Sequence, residues 1–423
     1  MLNVLGSSWA LLLGLMLLMV GNGMQGTLLG IRGDIEGFST LSLSIVMSAY
    51  FAGFLFGSRA APEMIRRVGH VRVFAALGSL VSAALILFPV ATDPISWTAL
   101  RIVIGFCFSA VYVTSESWLN NSTTNETRGQ ALALYVIVQM VGIVLAQILL
   151  GFGDPSGYVL FIIPSVLVSL AFAPILLSVT PTPAFESTAP MSFRKIFEVS
   201  PLGCVGLFLL GGVFSAMFGM GAVYATQIGL TVREISVFIA MMYVGGVVLQ
   251  YPIGWASDRM DRRRLIVLVA AGCVLSTLIG LTGIGDYTGL LVASFLIGGT
   301  ANPLYALLLA YTNDYLDNDD MASASARLVF INGTGAIAGP LITGWLMSTI
   351  GPHGFFLFIG TLMGLLIFYG GYRMTQRPAL SVEDTGLFTP ILPTATTVAM
   401  EATQEAWIEA DEQNDDENAT EIA

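Results

Sequence analysis

Long apolar runs without a charged residue constrain this chain more than any other feature. Ile235–Ser257 and Leu265–Gly285 hold no charged side chain, and neither does the longer run Leu328–Tyr372. A helix that crosses a bilayer needs roughly 20 mostly apolar residues, whereas a barrel strand alternates apolar and polar residues over about 10 positions. Only 11% of the residues are charged, against about 25% in soluble domains. The runs therefore predict an all-α membrane protein with many spanning helices.

Charged and turn residues divide the chain into twelve predicted spans. The first six cover about residues 7–30, 38–60, 71–90, 95–119, 129–152 and 157–179. The second six cover about residues 201–227, 233–256, 265–283, 287–312, 322–349 and 354–374, with a turn at Gly351–Gly354. We expect two pseudo-symmetric six-helix bundles, residues 1–180 and 201–376, joined by a cytoplasmic linker over 181–200.

Basic residues are distributed unevenly between the links on the two sides of the predicted membrane. The links after even-numbered spans and the flank of the last span hold fourteen of them, and the links after odd-numbered spans hold two. Under the positive-inside rule this bias places the even links and both termini in the cytoplasm. The sequence thus predicts a multi-pass membrane protein with both termini on the cytoplasmic side.

Residues 377–423 differ from the rest of the chain in charge. Eleven of the 28 acidic residues lie in 381–423, which holds no Lys or Arg. Such a composition is typical of disordered, solvated segments, so we expect a disordered acidic cytoplasmic tail. The alternative is a tail that docks on the arginine-rich cytoplasmic face.

The charged link between spans eight and nine carries a recognisable pattern. Gly254, Asp258, Arg259, Arg262 and Arg263 form the motif G-x-x-x-D-R-x-x-R-R. It resembles the cytoplasmic signature of the major facilitator superfamily, and the resemblance covers about residues 5–375. With the runs ESWLN at 116–120 and TRG at 127–129, the chain is similar to the bacterial YcaD-like subgroup. The resemblance implies a secondary active transporter of a bacterial inner membrane that moves a small solute by alternating access.

The resemblance also implies that this charged link is a conformational latch. In the family, the Asp of the motif caps a helix of the opposite half and helps to hold the outward-open state. Here Asp258 would reach the start of span five near Arg128, and Asp314 is the candidate acid for the arginines. The alternative is a basic loop that only sets the membrane topology.

The corresponding link of the first half departs from the motif. It keeps Gly57, Arg66 and Arg67, but Ala61 stands at the position of the Asp. The latch is therefore expected to be asymmetric, with the second half supplying the carboxylate.

Two charged residues lie inside predicted spans, and each has two interpretations. Arg101 resembles the Arg of the family's second signature, which is linked to proton coupling; alternatively, its side chain snorkels to the periplasmic surface. Glu116 is either a protonatable coupling group or the partner of Arg66 or Arg67 in an ion pair at the cytoplasmic gate.

Polar side chains in the spans are candidates for a substrate cavity, because the family binds substrate at mid-membrane, mostly between spans one, four, seven and ten. The candidates are Asn22, Gln25, Tyr112, Gln139, Tyr224, Tyr243, Asn302, Tyr305 and Asn332. Each could instead form hydrogen bonds between helices. As a set they are rich in amides and phenols and poor in charge, which favours a neutral, zwitterionic or amphipathic small molecule.

Other classes of protein find little support in the sequence. No catalytic constellation, nucleotide-binding loop or metal-ligand cluster is recognisable. We therefore predict a monomer in the lipid bilayer that is not an enzyme and takes no cofactor, metal or nucleic acid. The rival interpretation is a membrane receptor or scaffold that keeps the same fold without transporting.

Overall fold

Helices account for nearly all of the regular structure in a computed structural model of the chain. The structure describes residues 2–121, 125–177, 191–283, 286–378, 380–381, 385–386 and 388–400. The side chains of residues 2–8, 121, 125–129, 175–177, 318–319 and 322 lie outside this description. No strand occurs in these ranges.

Six helices form the first bundle. They are α1 (Leu2–Ile35), α2 (Thr40–Val68), α3 (His70–Leu87), α4 (Pro94–Asn121), α5 (Asn125–Leu150) and α6 (Val159–Leu177). Helix α1 packs against α5 and α6, α2 packs against α4, and α3 packs against α4 and α6.

The second bundle repeats this packing pattern. After the short helix α7 (Phe193–Val199), its helices are α8 (Pro201–Ser215), α9 (Gly221–Gln227), α10 (Val232–Ser257), α11 (Arg262–Thr282), α12 (Asp286–Asn313), α13 (Asn318–Ile350) and α14 (Gly354–Gln376). A π-helical turn, Ala216–Met220, joins α8 and α9 into one bent span. Helix α8 packs against α13 and α14, α10 against α12, and α11 against α12 and α14.

The predicted all-α membrane architecture is confirmed. Eleven helices of the described chain are long and apolar enough to cross a bilayer, and α6 supplies a shorter apolar helix at the sixth position. The predicted turn between the last two spans is also present, because α13 ends at Ile350 and Gly351 adopts a φ of +80°. Of the expected linker, residues 181–190 lie outside the described chain, and α7 occupies most of the remainder.

Glycines bring equivalent helix pairs into contact in both halves. A Cβ on Gly53 of α2 would lie 2.1 Å from the carbonyl oxygen of Ile102 in α4. At the matching place in the second half, a Cβ on Gly245 of α10 would lie 1.9 Å from that of Phe295 in α12. Backbones this close leave no room for a side chain, so each half packs as a tight bundle.

The two halves contact each other directly at the end of the molecule that lies away from the arginine-rich links, and we call this end the opposite end. Here Gln227 at the end of α9 donates a hydrogen bond to the hydroxyl of Thr40 at the start of α2, at 2.7 Å. Nearer the middle, the Ser48 hydroxyl donates to the carbonyl oxygen of Ile337 in α13, at 2.6 Å. The arginine-rich end is the other one, where the α2–α3 and α10–α11 links lie.

The tail does not match the expectation of disorder in residues 388–400. Ile391, Leu392, Thr396 and Met400 are buried. The physical reason is local composition, because residues 385–400 hold no charged side chain, and the eleven acids lie on either side of them. An uncharged apolar segment gains free energy by leaving water. These residues lie near the arginine-rich end, where Asp258 and Arg262 bind the backbone of the tail.

Candidate functional site

A cavity of about 150 Å³ lies between the two halves. Its lining comes from α1, α2, α4 and α5 of the first half and from α8, α10, α12 and α13 of the second. Six of the predicted candidates line it, namely Asn22, Gln25, Tyr112, Tyr243, Asn302 and Asn332. Residues Leu392–Ala395 of the tail form part of the same wall.

Arg101 is the charged group of this cavity. Its side chain is buried, so it does not snorkel to the membrane surface as the alternative interpretation required. One guanidinium nitrogen donates to the side-chain oxygen of Gln25, and the guanidinium lies 4.6 Å from the centre of the Tyr50 ring. The ion pairs between described side chains do not include Arg101. A buried cation without a carboxylate is costly, and it favours a ligand that brings an acceptor.

Hydrogen bonds order the polar side chains around Arg101. Asn22 donates to the Tyr112 hydroxyl at 2.9 Å and accepts from Gln25 at 3.2 Å and from the Tyr50 hydroxyl at 3.3 Å. These contacts join α1, α2 and α4 in one network. Because each side chain is held by another, the first half presents a fixed surface to the cavity.

Two amide oxygens in the cavity wall have no hydrogen-bond partner among the described residues. They are Oε1 of Gln147 in α5 and Oδ1 of Asn332 in α13, and both side chains are more than nine-tenths buried. A buried acceptor that is left unpaired costs roughly 1–3 kcal/mol. A bound molecule with N–H or O–H groups, or an ordered water, would satisfy them.

The second half contributes mainly aromatic and amide surface. The Phe218 ring stacks on Tyr243 with 4.6 Å between ring centres, and both line the cavity. Phe218 belongs to the π-helical turn, a type of distortion that often occurs at functional sites. The side-chain nitrogen of Asn302 donates a hydrogen bond to the carbonyl oxygen of Gly298 in its own helix, at 2.9 Å. The side-chain oxygen is then the group that Asn302 can offer to a ligand.

Three predicted cavity residues lie elsewhere. Tyr224 stacks on Phe355 with 5.0 Å between ring centres, inside the second bundle. Tyr305 is buried, with its ring 6.3 Å from that of Phe214. Gln139 is buried as well and does not line the cavity. These three side chains are not among the described residues that line this cavity.

Glu116 is buried in α4, and the structure pairs it with groups that were not expected. The Tyr135 hydroxyl donates to one carboxylate oxygen at 2.7 Å. The backbone N–H of Thr396 donates to the other oxygen at 3.2 Å, and the Thr396 hydroxyl donates to the same atom. The expected ion pair with Arg66 or Arg67 is absent, because both arginines bind Glu63, which lies within one helical turn of them.

Asp258 of the signature motif also binds the tail. Its carboxylate accepts the backbone N–H of Phe388 at 2.8 Å. A Cβ on Gly254 would lie 2.6 Å from the Phe388 ring, so the glycine makes room for that ring. The expected partner at the start of α5 is not the one bound here; the side chain of Arg128 lies outside the described residues.

The arginines of the motif hold the same end of the molecule together. Arg262 forms a buried ion pair with Asp314 at 2.5 Å and donates to the carbonyl oxygen of Gly386. Burial raises the pKa of the Asp314 carboxyl, and the charge and hydrogen bond of Arg262 offset only part of this effect. Arg263 binds Asp261 at 3.0 Å, and Arg259 lies over the Trp255 ring.

The corresponding link of the first half makes different contacts. A Cβ on Gly57 would lie 2.2 Å from the carbonyl oxygen of Phe106, so Gly57 permits close packing of α2 on α4. Arg66 and Arg67 are exposed and bind only Glu63 among the described side chains. The second-half link, by contrast, binds the tail through Asp258 and Arg262.

Sequence profiles and curated relatives place the chain in a known group. The profile of the Major Facilitator Superfamily matches residues 11–249 and 202–407. An uncharacterized MFS-type transporter, YcaD of Escherichia fergusonii, is 27% identical over 379 residues, which cover 88% of this chain and 97% of the relative.

Solved structures share the fold at low sequence identity. A mutant of the nucleoside transporter NupG has a TM-score of 0.76 at 15% identity and covers 86% of this chain and 99% of its own. A bacterial homolog of the human lysosomal transporter Spinster, in an inward-facing and unoccupied conformation, has a TM-score of 0.66 at 12% identity. It covers 94% of this chain and 97% of its own.

Proposed function

The chain belongs to the Major Facilitator Superfamily, and we propose that it moves a small solute across a bacterial inner membrane by alternating access. Its predicted likeness to the YcaD-like transporters is confirmed. The observation that carries the proposal is the cavity between two similar bundles, together with the hydrogen bond that joins the bundles at the opposite end. Rocking of one bundle against the other would expose the same cavity to each side in turn.

We assign the arginine-rich end to the cytoplasm. This end carries four arginines with exposed side chains, namely Arg66, Arg67, Arg259 and Arg264. Positive charge in short links is retained on the cytoplasmic side. In this orientation the periplasmic end of the cavity is closed, and both termini are cytoplasmic.

The solute that fits the cavity is zwitterionic or neutral and amphipathic. Arg101 and the Gln25 amide beside it favour a carboxylate or another strong acceptor on the solute. Gln147 and Asn332 offer unpaired oxygens to its N–H or O–H groups. The Phe218 and Tyr243 rings cover an apolar or planar part. Because residues of one chain form the cavity wall, a single copy of the chain is enough to bind and move the solute.

A screen for ligands is the first experiment that the proposal requires. The purified chain is heated with amino acids, nucleosides, sugars and amphipathic drugs, and a bound solute raises Tm by mass action. Proteoliposomes are then loaded with the stabilising compound. Counterflow of labelled compound is expected only in vesicles that contain the protein. Binding without any counterflow would favour the rival interpretation, a receptor or scaffold with this fold.

Proton coupling is the finer part of the proposal, with Arg101 and Glu116 as its candidate residues. Uptake into proteoliposomes is expected to rise when the external medium is acidified and to collapse when an ionophore removes the gradient. The Glu116→Gln variant separates the two candidates: if its uptake still follows the gradient, Glu116 is not the proton carrier. Uptake that is the same at every imposed gradient would refute proton coupling of any kind.

A further inference from the structure

Residues 385–400, of which the structure describes 385–386 and 388–400, are the segment that we call the plug. It is uncharged, contains two prolines, and lies between the acidic pair at 383–384 and the acids from residue 401 onward. Two prolines in so short a segment disfavour a helix through its first part, and a helical turn starts only at Thr397. The described residues of the plug before Thr397 are non-helical, so most of their backbone N–H and C=O groups can bind other residues.

One end of the plug is bound to the second half by three charged side chains. Asp258 accepts the N–H of Phe388, Arg262 donates to the carbonyl oxygen of Gly386, and Asp314 accepts the N–H of Gly386 at 3.3 Å. All three hydrogen bonds are made to backbone atoms of the plug. Backbone hydrogen bonds are a common way for proteins to bind a peptide segment.

The other end of the plug is bound to the first half. The backbone N–H and the hydroxyl of Thr396 both donate hydrogen bonds to Glu116, a buried carboxylate of α4. Thr396 itself is completely buried. A buried carboxylate needs several hydrogen-bond donors. Among the described residues, the Tyr135 hydroxyl is one donor to Glu116, and the plug supplies the others.

Between its two ends the plug crosses the space that separates the halves. Ile391 and Leu392 are buried and lie between α5 of the first half and α10 of the second. The next residues, up to Ala395, form part of the cavity wall beside the predicted substrate ligands. A solute that moves between the cavity and the arginine-rich end must pass this segment.

We propose that the arginine-rich mouth of the cavity is a binding site for an uncharged, largely non-helical peptide, and that the plug of the same chain is its resident occupant. While it is bound, the plug blocks the solute path at this end and ties the two halves together. It also occupies Asp258 and Glu116, so neither carboxylate can act on another partner until the plug leaves. The blocking role rests on the proposed transport function, whereas the binding site does not.

The test measures how quickly a bulky, membrane-impermeant maleimide labels single cysteines in the full chain. Ala395→Cys reports on docking, because Ala395 is buried and a cysteine is only slightly larger. Pro390→Cys is the matched reference, because Pro390 is exposed in the same segment. Ser58→Cys reports on access to the cavity, which Ser58 lines. The native cysteines are buried, and the unmodified chain gives the background.

Two second-site changes release the plug by different physics. Thr396→Glu places a second carboxylate against Glu116, and Leu392→Glu places a charge in an apolar cleft. Thr396→Ser keeps the hydroxyl and the N–H and is the control. All three lie in the plug, outside the twelve spans. Intrinsic tryptophan fluorescence on heating confirms that each variant is folded.

We expect Ala395→Cys to react at least about tenfold more slowly than Pro390→Cys in the otherwise unchanged chain, since a docked site reacts only when it opens. Either releasing change should abolish that difference and speed the labelling of Ser58→Cys, and Thr396→Ser should do neither. Equal labelling at residues 390 and 395 in the unchanged chain would overturn the binding site. Faster labelling at residue 395 without any change at Ser58→Cys would overturn the blocking role. Labelling as expected in a chain that transports nothing would refute the proposed function and leave the site intact.

Discussion

Replacing Arg101 with Gln is expected to weaken binding of the transported solute by roughly 10- to 150-fold, because a hydrogen bond to a charged group contributes about 1.5–3 kcal/mol. Arg101 is buried beside the cavity, holds Gln25, and has no carboxylate partner among the described side chains. The substitution removes the charge that the solute acceptor would meet in the proposed binding mode. The measurement is the Kd of the solute found in the thermal screen.

Two further variants make the Arg101 result specific. Arg101→Lys keeps the charge but loses the planar fork that can bind two acceptors, so we expect an intermediate loss of affinity. Arg72→Gln removes an exposed arginine of α3 and should leave the Kd unchanged. A Kd for Arg101→Gln equal to that of the unchanged chain, with Tm preserved, would show that Arg101 has no part in binding.

Locking the opposite end is expected to stop transport almost completely while solute binding persists. Gln227 and Thr40 are joined by a hydrogen bond of 2.7 Å across the two halves. Cysteines at both positions, linked by a short bifunctional thiosulfonate, would hold that end closed. Alternating access requires it to open in every cycle. Uptake should fall to the background of empty vesicles and return when a reductant cleaves the link.

A matched pair within one half provides the control for the locked variant. Ser82 of α3 and Ser165 of α6 have hydroxyls 2.8 Å apart, and both belong to the first bundle. Linking cysteines at these two positions should leave uptake nearly unchanged, because the bundle moves as a unit. Both pairs are tested after replacing Cys107, Cys204 and Cys273 with alanine. Full uptake with the Thr40–Gln227 link in place would exclude motion at that end.

The spanning helices could be predicted because each needs a long apolar run, and such runs are visible in a single sequence. The turn at Gly351 was predictable for a related reason, since the uncharged run Leu328–Tyr372 is too long for one span. The bend between α8 and α9 was not, because the π-helical turn Ala216–Met220 has the same apolar composition as its neighbours.

The positions of polar side chains around the cavity were only partly predictable. A helix that is apolar on all sides gives no periodic signal of the face that it turns toward the partner half. Asn22 and Asn332 line the cavity, whereas Tyr224 and Tyr305 pack inside the second bundle, and the sequence alone does not distinguish the two pairs. The wrong partner for Arg66 and Arg67 has another cause: Glu63 lies three and four residues before them, and a neighbour on the same helix face competes well with a distant carboxylate.

The plug was missed because composition was averaged over the whole tail. Averaged in this way, residues 381–423 are strongly acidic, but residues 385–400 within them contain no charge. A shorter window would have separated Phe388–Met400 from the acidic flanks. No sequence window could have shown that Thr396 would meet Glu116, because their contact joins residues 280 positions apart.

The claim that the two halves alternate about the central cavity is tested most directly by a distance across the opposite end. Spin labels on Leu41 of α2 and Ile350 of α13 are suitable, because both side chains are exposed. Double electron–electron resonance would measure their separation in the full chain and in Leu392→Glu, with and without solute. We predict a second, longer distance whose population changes when solute is added and increases when the plug is released. A single short distance under every condition would contradict the account.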